Sequence, residues 1–253
     1  MKSAIINTLN KLNQDFYGQV CDSFNKTRQN AWTGWQALVP FIKQLPSPRR
    51  VLDLGCGNAR FAKFLHSAHI QSIYHGIDSN SELLSLAKNS FSDSDSYQLA
   101  QLDIIQTIQD LPTIPAELDQ KHYDLVVAFG LLHHIPSYQL RLNFLRLITH
   151  LLQNKNSLAV ISAWQFASDN RIKNKLVSPT TIGIDAQEIE KSDYLLGWQD
   201  RTNLYRYCHD FSDQEMNEIL NQLENVQLLF QYSADGKSGK LNHYYLLQRI
   251  SDS

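Results

Sequence analysis

The sequence predicts an α/β fold: a mostly parallel, seven-stranded sheet with helices on both faces and a C-terminal antiparallel hairpin. Three observations carry this reading. Short apolar runs alternate with helix-period segments through the middle of the chain. The first run, residues 51–54, leads into Gly55-Cys56-Gly57, and the second ends on Asp78, 25 positions after Asp53. In an open α/β sheet such residues stand at the carboxyl ends of neighbouring strands, where ligands bind. The last two apolar runs are separated by Ala234-Asp235-Gly236-Lys237-Ser238-Gly239, whose composition suits a hairpin turn.

In chain order, residues 4–24 space Ile5, Leu9, Leu12, Phe16 and Val20 three or four apart, which makes one helix face. A second, short helix is expected over 35–43, stopping before Pro46 and Pro48. Strands follow at 51–54, 72–77, 97–102, 123–129 and 158–163, separated by helices at 60–66, 83–89 and 140–151. Strand–helix repetition of this kind implies a parallel sheet covered on both faces. Ser79-x-x-Glu82 and Ser212-x-x-Glu215 read as capping boxes at helix starts. A helix at 213–223 and strands at 226–232 and 244–248 complete the chain. Residues 164–210 break the rhythm: they are rich in Trp, Tyr, Arg and Lys with weak periodicity, and are read as an insertion covering the substrate side. A surface excursion anchored by a few aromatics is the alternative. One elaborated domain over 1–253 is expected, made of an N-terminal helical cap (1–46), a core (47–163), the insertion (164–210) and a C-terminal helix and hairpin (211–253).

At 253 residues and 43% hydrophobic content the chain supports a sizeable core. A formal net charge of -2 supplies no global field towards nucleic acid or anionic lipid, so any RNA contact must come from a local patch. Cys21, Cys56 and Cys208 are far apart and form no CxxC pair, which argues against a disulfide framework or a zinc ribbon and fits a reducing cytoplasm. The apolar runs fall short of the roughly 20 residues of a membrane helix, and no basic-then-apolar leader is visible, so a cytoplasmic protein without a membrane partner is expected. His133 and His134 are adjacent and lack further ligands at a recognisable spacing, so no metal is expected.

An apolar strand running into Gly-x-Gly at a helix start brings backbone close to a ligand and aims amide N–H groups at it. A dinucleotide fingerprint wants a small residue three positions after the second glycine, where this chain has Arg60. The loop instead resembles the Asp-x-Gly-x-Gly-x-Gly loop of class I S-adenosylmethionine-dependent methyltransferases, with Asp53, Gly55 and Gly57 matching and Ala59 in place of the last glycine. Ala disfavours positive φ, and would help only if it already lay in the helix. The resemblance implies S-adenosyl-L-methionine as cofactor, with Asp53, Gly55, Cys56, Gly57 and Ser79 around it, Asp78 at the ribose hydroxyls, Asp103 at the adenine amino group and the Ile104 backbone N–H on the ring. Residues 124–135 resemble the family's fourth strand and following loop, placing Phe129 and Gly130 near the methionine part and His133 and His134 near the transfer site. Two roles are open for these histidines, a catalytic base or a packing and capping element under the next helix.

The N-terminal segment narrows the resemblance. Phe24-Asn25-Lys26-Thr27-Arg28-Gln29-Asn30-Ala31-Trp32 is similar to the Phe-Ser-x-Thr-Arg-x-x-x-Trp segment of the tRNA wobble-uridine carboxymethyl methyltransferases, with Asn25 for the usual serine and Thr33 where proline is common. Arg28 then becomes a clamp for the cofactor's carboxylate, and Trp32 shapes the adjacent pocket. Residues 193–198 and Tyr205-Arg206-Tyr207-Cys208-His209-Asp210-Phe211 resemble two further segments of that group. Arg206, Tyr207 and His209 suit a splayed-out base and its phosphates, with Trp164 at the same substrate side and Arg171, Lys173, Lys175 and Arg201 extending the positive surface. The resemblance implies methylation of a carboxymethyl-type side chain, with tRNA and a small activating protein subunit as partners. Two rivals stand beside it: a methyltransferase for a small molecule such as a quinone precursor or carboxylic acid, and a noncatalytic methyltransferase-like subunit that binds a partner.

Overall fold

The structure is a computed structural model that describes residues 1–90, 96–109, 115–119, 123–152, 154–167, 169–198 and 201–252. Seven strands form the large sheet: β1 (Arg49–Leu54), β2 (Ser72–Asp78), β3 (Tyr97–Gln101), β4 (Leu125–Ala128), β5 (Leu158–Trp164), β9 (Val226–Ala234) and β10 (Asn242–Arg249). Three more, β6 (Leu176–Val177), β7 (Asp193–Gly197) and β8 (Tyr205–His209), form a separate antiparallel sheet. The helices are α1 (Ser3–Thr27), α2 (Val39–Ile42), α3 (Arg60–Ser67), α4 (Ser81–Lys88), α5 (Ile104–Gln109), α6 (Ala116–Asp119), α7 (Tyr138–His150), α8 (Asn170–Lys173) and α9 (Asp213–Leu220).

The large sheet runs β3-β2-β1-β4-β5-β10-β9, parallel through β5, with β10 antiparallel to both neighbours. Alternate residues of each strand face opposite sides. Leu52, Leu54, Val126, Ala128, Ala159 and Ile161 therefore pack in one core with α5, α7 and α9, while Val51, Leu125, Val127, Leu158 and Val160 pack in the other with α2 and α3. The order turns back between β1 and β4, so the carboxyl ends of β1, β2 and β4 open onto one crevice.

Several expectations need correction. Residues 164–210 contain the three-stranded sheet, and Leu9 on α1 packs with Leu195 and Tyr207 of that sheet in a core of their own. Weak periodicity hid it because its strands are short and two of them, β7 and β8, are largely buried. Ser79 does not cap α4: Asn80 does, its side chain accepting the Leu83 N–H at 2.9 Å, because Asp78 accepts the Asn80 N–H and carries the turn one residue further. Ser212 caps α9 as expected, but Glu215 turns away from the cap to bind His209 and Arg141. Helix α5 follows β3 directly and was not anticipated.

A buried ionic network joins the two sheets. The Arg141 guanidinium, 1% exposed, meets Glu190 at 2.5 Å and Glu215 at 3.0 Å. His209 lies between Asp193 and Glu215, at 2.7 Å from each. Burial alone would depress the imidazole, but hydrogen bonds to Asp193 and Glu215 outweigh it and raise the pKa above 6.5. That stabilisation is complete below pH 6.5 and is lost as pH rises through the raised folded-state value. Replacing Arg141 by Met leaves Glu190 and Glu215 without their shared cation, and the chemical-denaturation midpoint should fall by the equivalent of about 3 kcal/mol. Adding Glu190→Gln and Glu215→Gln should recover most of the loss.

Candidate functional site

The crevice is a cavity of about 690 Å³ running along the ends of β1, β2 and β4 and roofed by α1. Gly55 (φ 74) and Gly57 (φ 55) take left-handed backbone at its floor, as does Ala59 (φ 53), buried in the core behind it. A Cβ on Gly57 would meet nothing within 4 Å, whereas one on Gly55 would press Leu131 at 3.2 Å. Left-handed backbone costs Ala59 roughly 1–2 kcal/mol, and burial of its methyl in the core returns about 0.8 kcal/mol of that. Ala59 is thus the residue before the helix and not part of it.

The loop's amides do not point into the cavity as a row of free donors. Gly55 and Cys56 donate to the Ile77 carbonyl, Gly57 to Asp78 and Ala59 to the Cys56 carbonyl. What the loop offers a ligand is close approach of backbone. Asn58, overlooked in the sequence, reaches out instead, donating to Asn25 Oδ1 at 2.8 Å and to the Arg28 carbonyl. It ties the end of α1 to the loop and so fixes where Arg28 begins.

Asp53, Asp78 and Asp103 all line the cavity, in different states. Asp53 is buried and accepts from Tyr74 Oη at 2.6 Å; burial pushes its carboxyl up to about 7, against the lowering hydrogen bond. Asp78 accepts backbone N–H groups of Gly57 and Asn80, one on each oxygen, leaving lone pairs on both. Asp103 is more heavily engaged: one oxygen takes the Asn10 and Gln14 amides and the other caps α5 through Ile105 and Gln106. Its first role is to fasten α1 to the core, with Ile104 buried beside it on the cavity wall. Cys56 and Ser79 also line the cavity, the Cys56 thiol fitting only because Gly76 has no side chain: a Cβ there would lie 2.8 Å from the sulfur.

At the far end Phe129 and Gly130 meet Trp32, whose indole would lie 3.3 Å from a Cβ on Gly130. Arg60 stacks over Trp32 and Trp35 at 5.1 and 5.3 Å and donates to the Asn30 carbonyl. The Arg28 guanidinium lies over Phe24 and, among the described residues, donates only to Thr27. Burial, then the neighbouring Arg28 charge, brings the Arg60 guanidinium down to about 10, and burial lowers Arg28 as well.

The two histidines differ. His134 Nδ1 lies 2.8 Å from the Tyr207 carbonyl, which can only accept, so Nδ1 carries the proton. Its Nε2 lone pair takes the Tyr17 hydroxyl at 2.7 Å, and Tyr17 in turn accepts from Arg206 Nη1 at 3.3 Å. Burial and Arg206 push the imidazole down to about 3. His134 is a neutral strut whose lone pair is occupied, which removes it as a general base. His133 stacks flat on Trp164, 4.2 Å between ring centres, with Nδ1 buried and unpartnered. Burial, then the neighbouring His134 and Arg206, hold it well below 6.5.

Arg206 is 8% exposed, lies over Trp164, Phe16 and Trp198 at 5.1–5.4 Å, and has an unpartnered Nε. Among the described residues no carboxylate pairs with it. Tyr207 and His209 are corrections: neither reaches the cavity wall, since Tyr207 donates to Asp193 at 2.6 Å and His209 belongs to the ionic network. The folding brings Cys208 to the histidine pair, with ligand atoms within 4.8 Å, a grouping that sequence spacing could not reveal; Glu190, Asp193 and His209 form a second. Both nitrogens of His134 and of His209 are already bonded, and Arg206 bears on the first cluster, so both are better explained as polar networks than as cation sites.

The residues fit S-adenosylmethionine: a glycine floor for close approach, Asp78 with lone pairs for a diol, and Arg28, without an acid partner among the described residues, for a carboxylate. The Asp53 state is testable without ligand. Its folded pKa, about 7, lies above the ordinary 3.8, so stability is lost as pH rises from about 4 to about 7 and the loss is complete above that. Asp53→Asn should therefore raise the denaturation midpoint at pH 8, by at most on the order of 4 kcal/mol, and the gain should fade as pH drops below 7. A loss of stability at pH 8 would contradict it.

Residues 52–157 match the family model described as a methyltransferase domain. No curated protein matches the chain by sequence. Among solved structures, the CcbJ methyltransferase from Streptomyces caelestis is similar with a TM-score of 0.64 at 14% identity, covering 95% of this chain and 99% of that one. The magnesium protoporphyrin IX methyltransferase from Synechocystis PCC 6803 with bound SAM gives 0.58 at 12%, covering 93% and 94%. CalS10, an amino pentose methyltransferase from Micromonospora echinaspora, gives 0.58 at 14%, covering 91% and 97%. At these identities the likeness concerns the fold. The chain has the Rossmann-like fold of the class I S-adenosylmethionine-dependent methyltransferases, and its residues 52–157 match a methyltransferase-domain model.

Proposed function

We propose that the protein transfers the methyl group of S-adenosylmethionine to a carboxylate, and that this carboxylate is carried by a carboxymethyl-type side chain of a tRNA wobble uridine. One observation carries the acceptor reading. Arg206 keeps a desolvated guanidinium on the wall of the cofactor cavity without an acid of its own. Desolvating such a cation costs several kcal/mol, and an acceptor carboxylate is the group that would offset it.

The cofactor supplies a methyl group on a sulfonium, already activated for displacement. The chain's part is to align the acceptor and exclude water. A carboxylate has no proton to lose, so no base is required. This agrees with His134 fixed as a neutral strut and His133 held neutral on Trp164. Arg206 would orient the acceptor, with Trp32 and Trp164 as apolar walls. The tRNA part rests on the resemblance of residues 24–32 and 205–211, and on exposed Lys173 and Lys175 in the insertion. Arg171 contributes less, because Asp169 pairs with it.

A small acid is the second reading, favoured by how deeply Arg206 is enclosed and by solved neighbours named for small-molecule substrates. Methyl-labelled cofactor distinguishes them. Incubation with total tRNA and with a small-metabolite pool should place label in tRNA, released as methanol by mild alkali because methyl esters hydrolyse. Alkali-stable label would overturn the carboxylate reading, and label confined to small molecules would overturn tRNA. In calorimetry the wild type should bind cofactor and Asp78→Ala should bind it far less; unchanged binding in the variant would remove Asp78 from the site. Arg206→Met should keep cofactor binding while methylation falls at least about thirtyfold.

A further inference from the structure

We infer that β9 is the interface between two copies of this chain. Among the described residues the strand forms an outer edge of the large sheet and pairs only with β10, so its outer row of backbone N–H and C=O groups has no described strand beside it. Five consecutive residues, Gln227 to Gln231, are exposed, among them Leu228 and Leu229 at 41% and Phe230 at 38%. A bulge sets Leu229 between the paired Leu228 and Phe230 and breaks the strand's alternation. Edge strands are ordinarily blunted by charge or proline, and Val226–Ala234 contains neither. The opposite edge, β3, differs: its exposed residues are Gln98 and Gln101.

Beside the apolar run lies a groove of about 460 Å³ of mixed lining, with Phe41, Leu45, Pro46 and Leu229 on its apolar part and Asp124 and Lys155 on its polar part; Phe41 stacks on Phe230 at 5.6 Å. The surface therefore offers a ridge and a recess on one face, which a two-fold axis would match to each other.

The charges at the strand's ends select a second copy as the occupant. Glu224 is exposed just before β9, and Lys237 and Lys240 are exposed just after it. A two-fold axis across the strand makes the second β9 antiparallel, so Glu224 of each copy lies towards Lys237 and Lys240 of the other, with the uncharged apolar middle against itself. A parallel arrangement would set Glu224 beside Glu224. A partner of either single charge would be repelled at one end.

Sedimentation velocity on the full chain tests this, independently of any methyl transfer. The wild type should sediment as a dimer at tens of micromolar. Leu228→Lys with Phe230→Glu should give a monomer with unchanged far-UV circular dichroism. Glu224→Lys alone, or Lys237→Glu with Lys240→Glu, should weaken the dimer about tenfold, and all three changes together should restore it. A wild type that stays monomeric, or a dimer that survives the Leu228 and Phe230 changes, overturns the interface. Charge reversals without effect overturn its antiparallel arrangement.

Discussion

Three segments far apart in sequence meet at one imidazole. His134 donates to the backbone of β8 and accepts from Tyr17 on α1, while its own backbone belongs to the turn after β4. Because the β8 carbonyl can only accept, the direction of every hydrogen in this chain is set: His134 donates through Nδ1, Tyr17 donates to Nε2, and the Tyr17 oxygen is left to accept from Arg206. The N-terminal helix, the core and the inserted sheet thus share one arrangement of protons. A protonated His134 would reverse the Tyr17 bond, strand the hydroxyl proton and face the Arg206 charge; burial and that charge keep it neutral.

Much of the core was legible because alternation and glycine placement act locally. The strands with alternating or continuous apolar runs, the Gly55–Gly57 turn and Asp78 at the next strand end follow from period and turn chemistry alone. The inserted sheet was not legible, since each of its short strands is stabilised by Leu9 and neighbours on α1, up to 198 residues away, and carries little pattern of its own. Tyr17, Asn58 and Tyr74 escaped notice for the same reason. Each acts through hydrogen bonds to partners remote in sequence, and no spacing rule marks such a residue.

Asp103 and His209 were read as ligand contacts because their residue types suit ligands. The structure gives both other work: Asp103 already accepts four hydrogen bonds, and His209 sits between two carboxylates. Asp103 can still meet a ligand at the cavity wall, but its carboxylate has little acceptor capacity left over. The tally of existing partners, which sequence cannot supply, separates a group that holds the fold from one that waits for a ligand.

By that measure the cavity has a polarity. At the β1 and β2 ends stand Asp53 and Asp78, one strongly desolvated and the other with lone pairs to spare. At the opposite wall stand Arg28 and Arg206, desolvated guanidinium groups with no carboxylate partner among the described residues. The His133, His134 and Cys208 cluster lies on the Arg206 side, where a divalent cation would meet a fixed positive charge a few ångströms away; at 4 Å and an effective dielectric of 20, two unit charges already repel by about 4 kcal/mol. An anion meets the opposite sign of the same interaction. The wall that looks like a metal site by residue type is, by charge, a place for an acid.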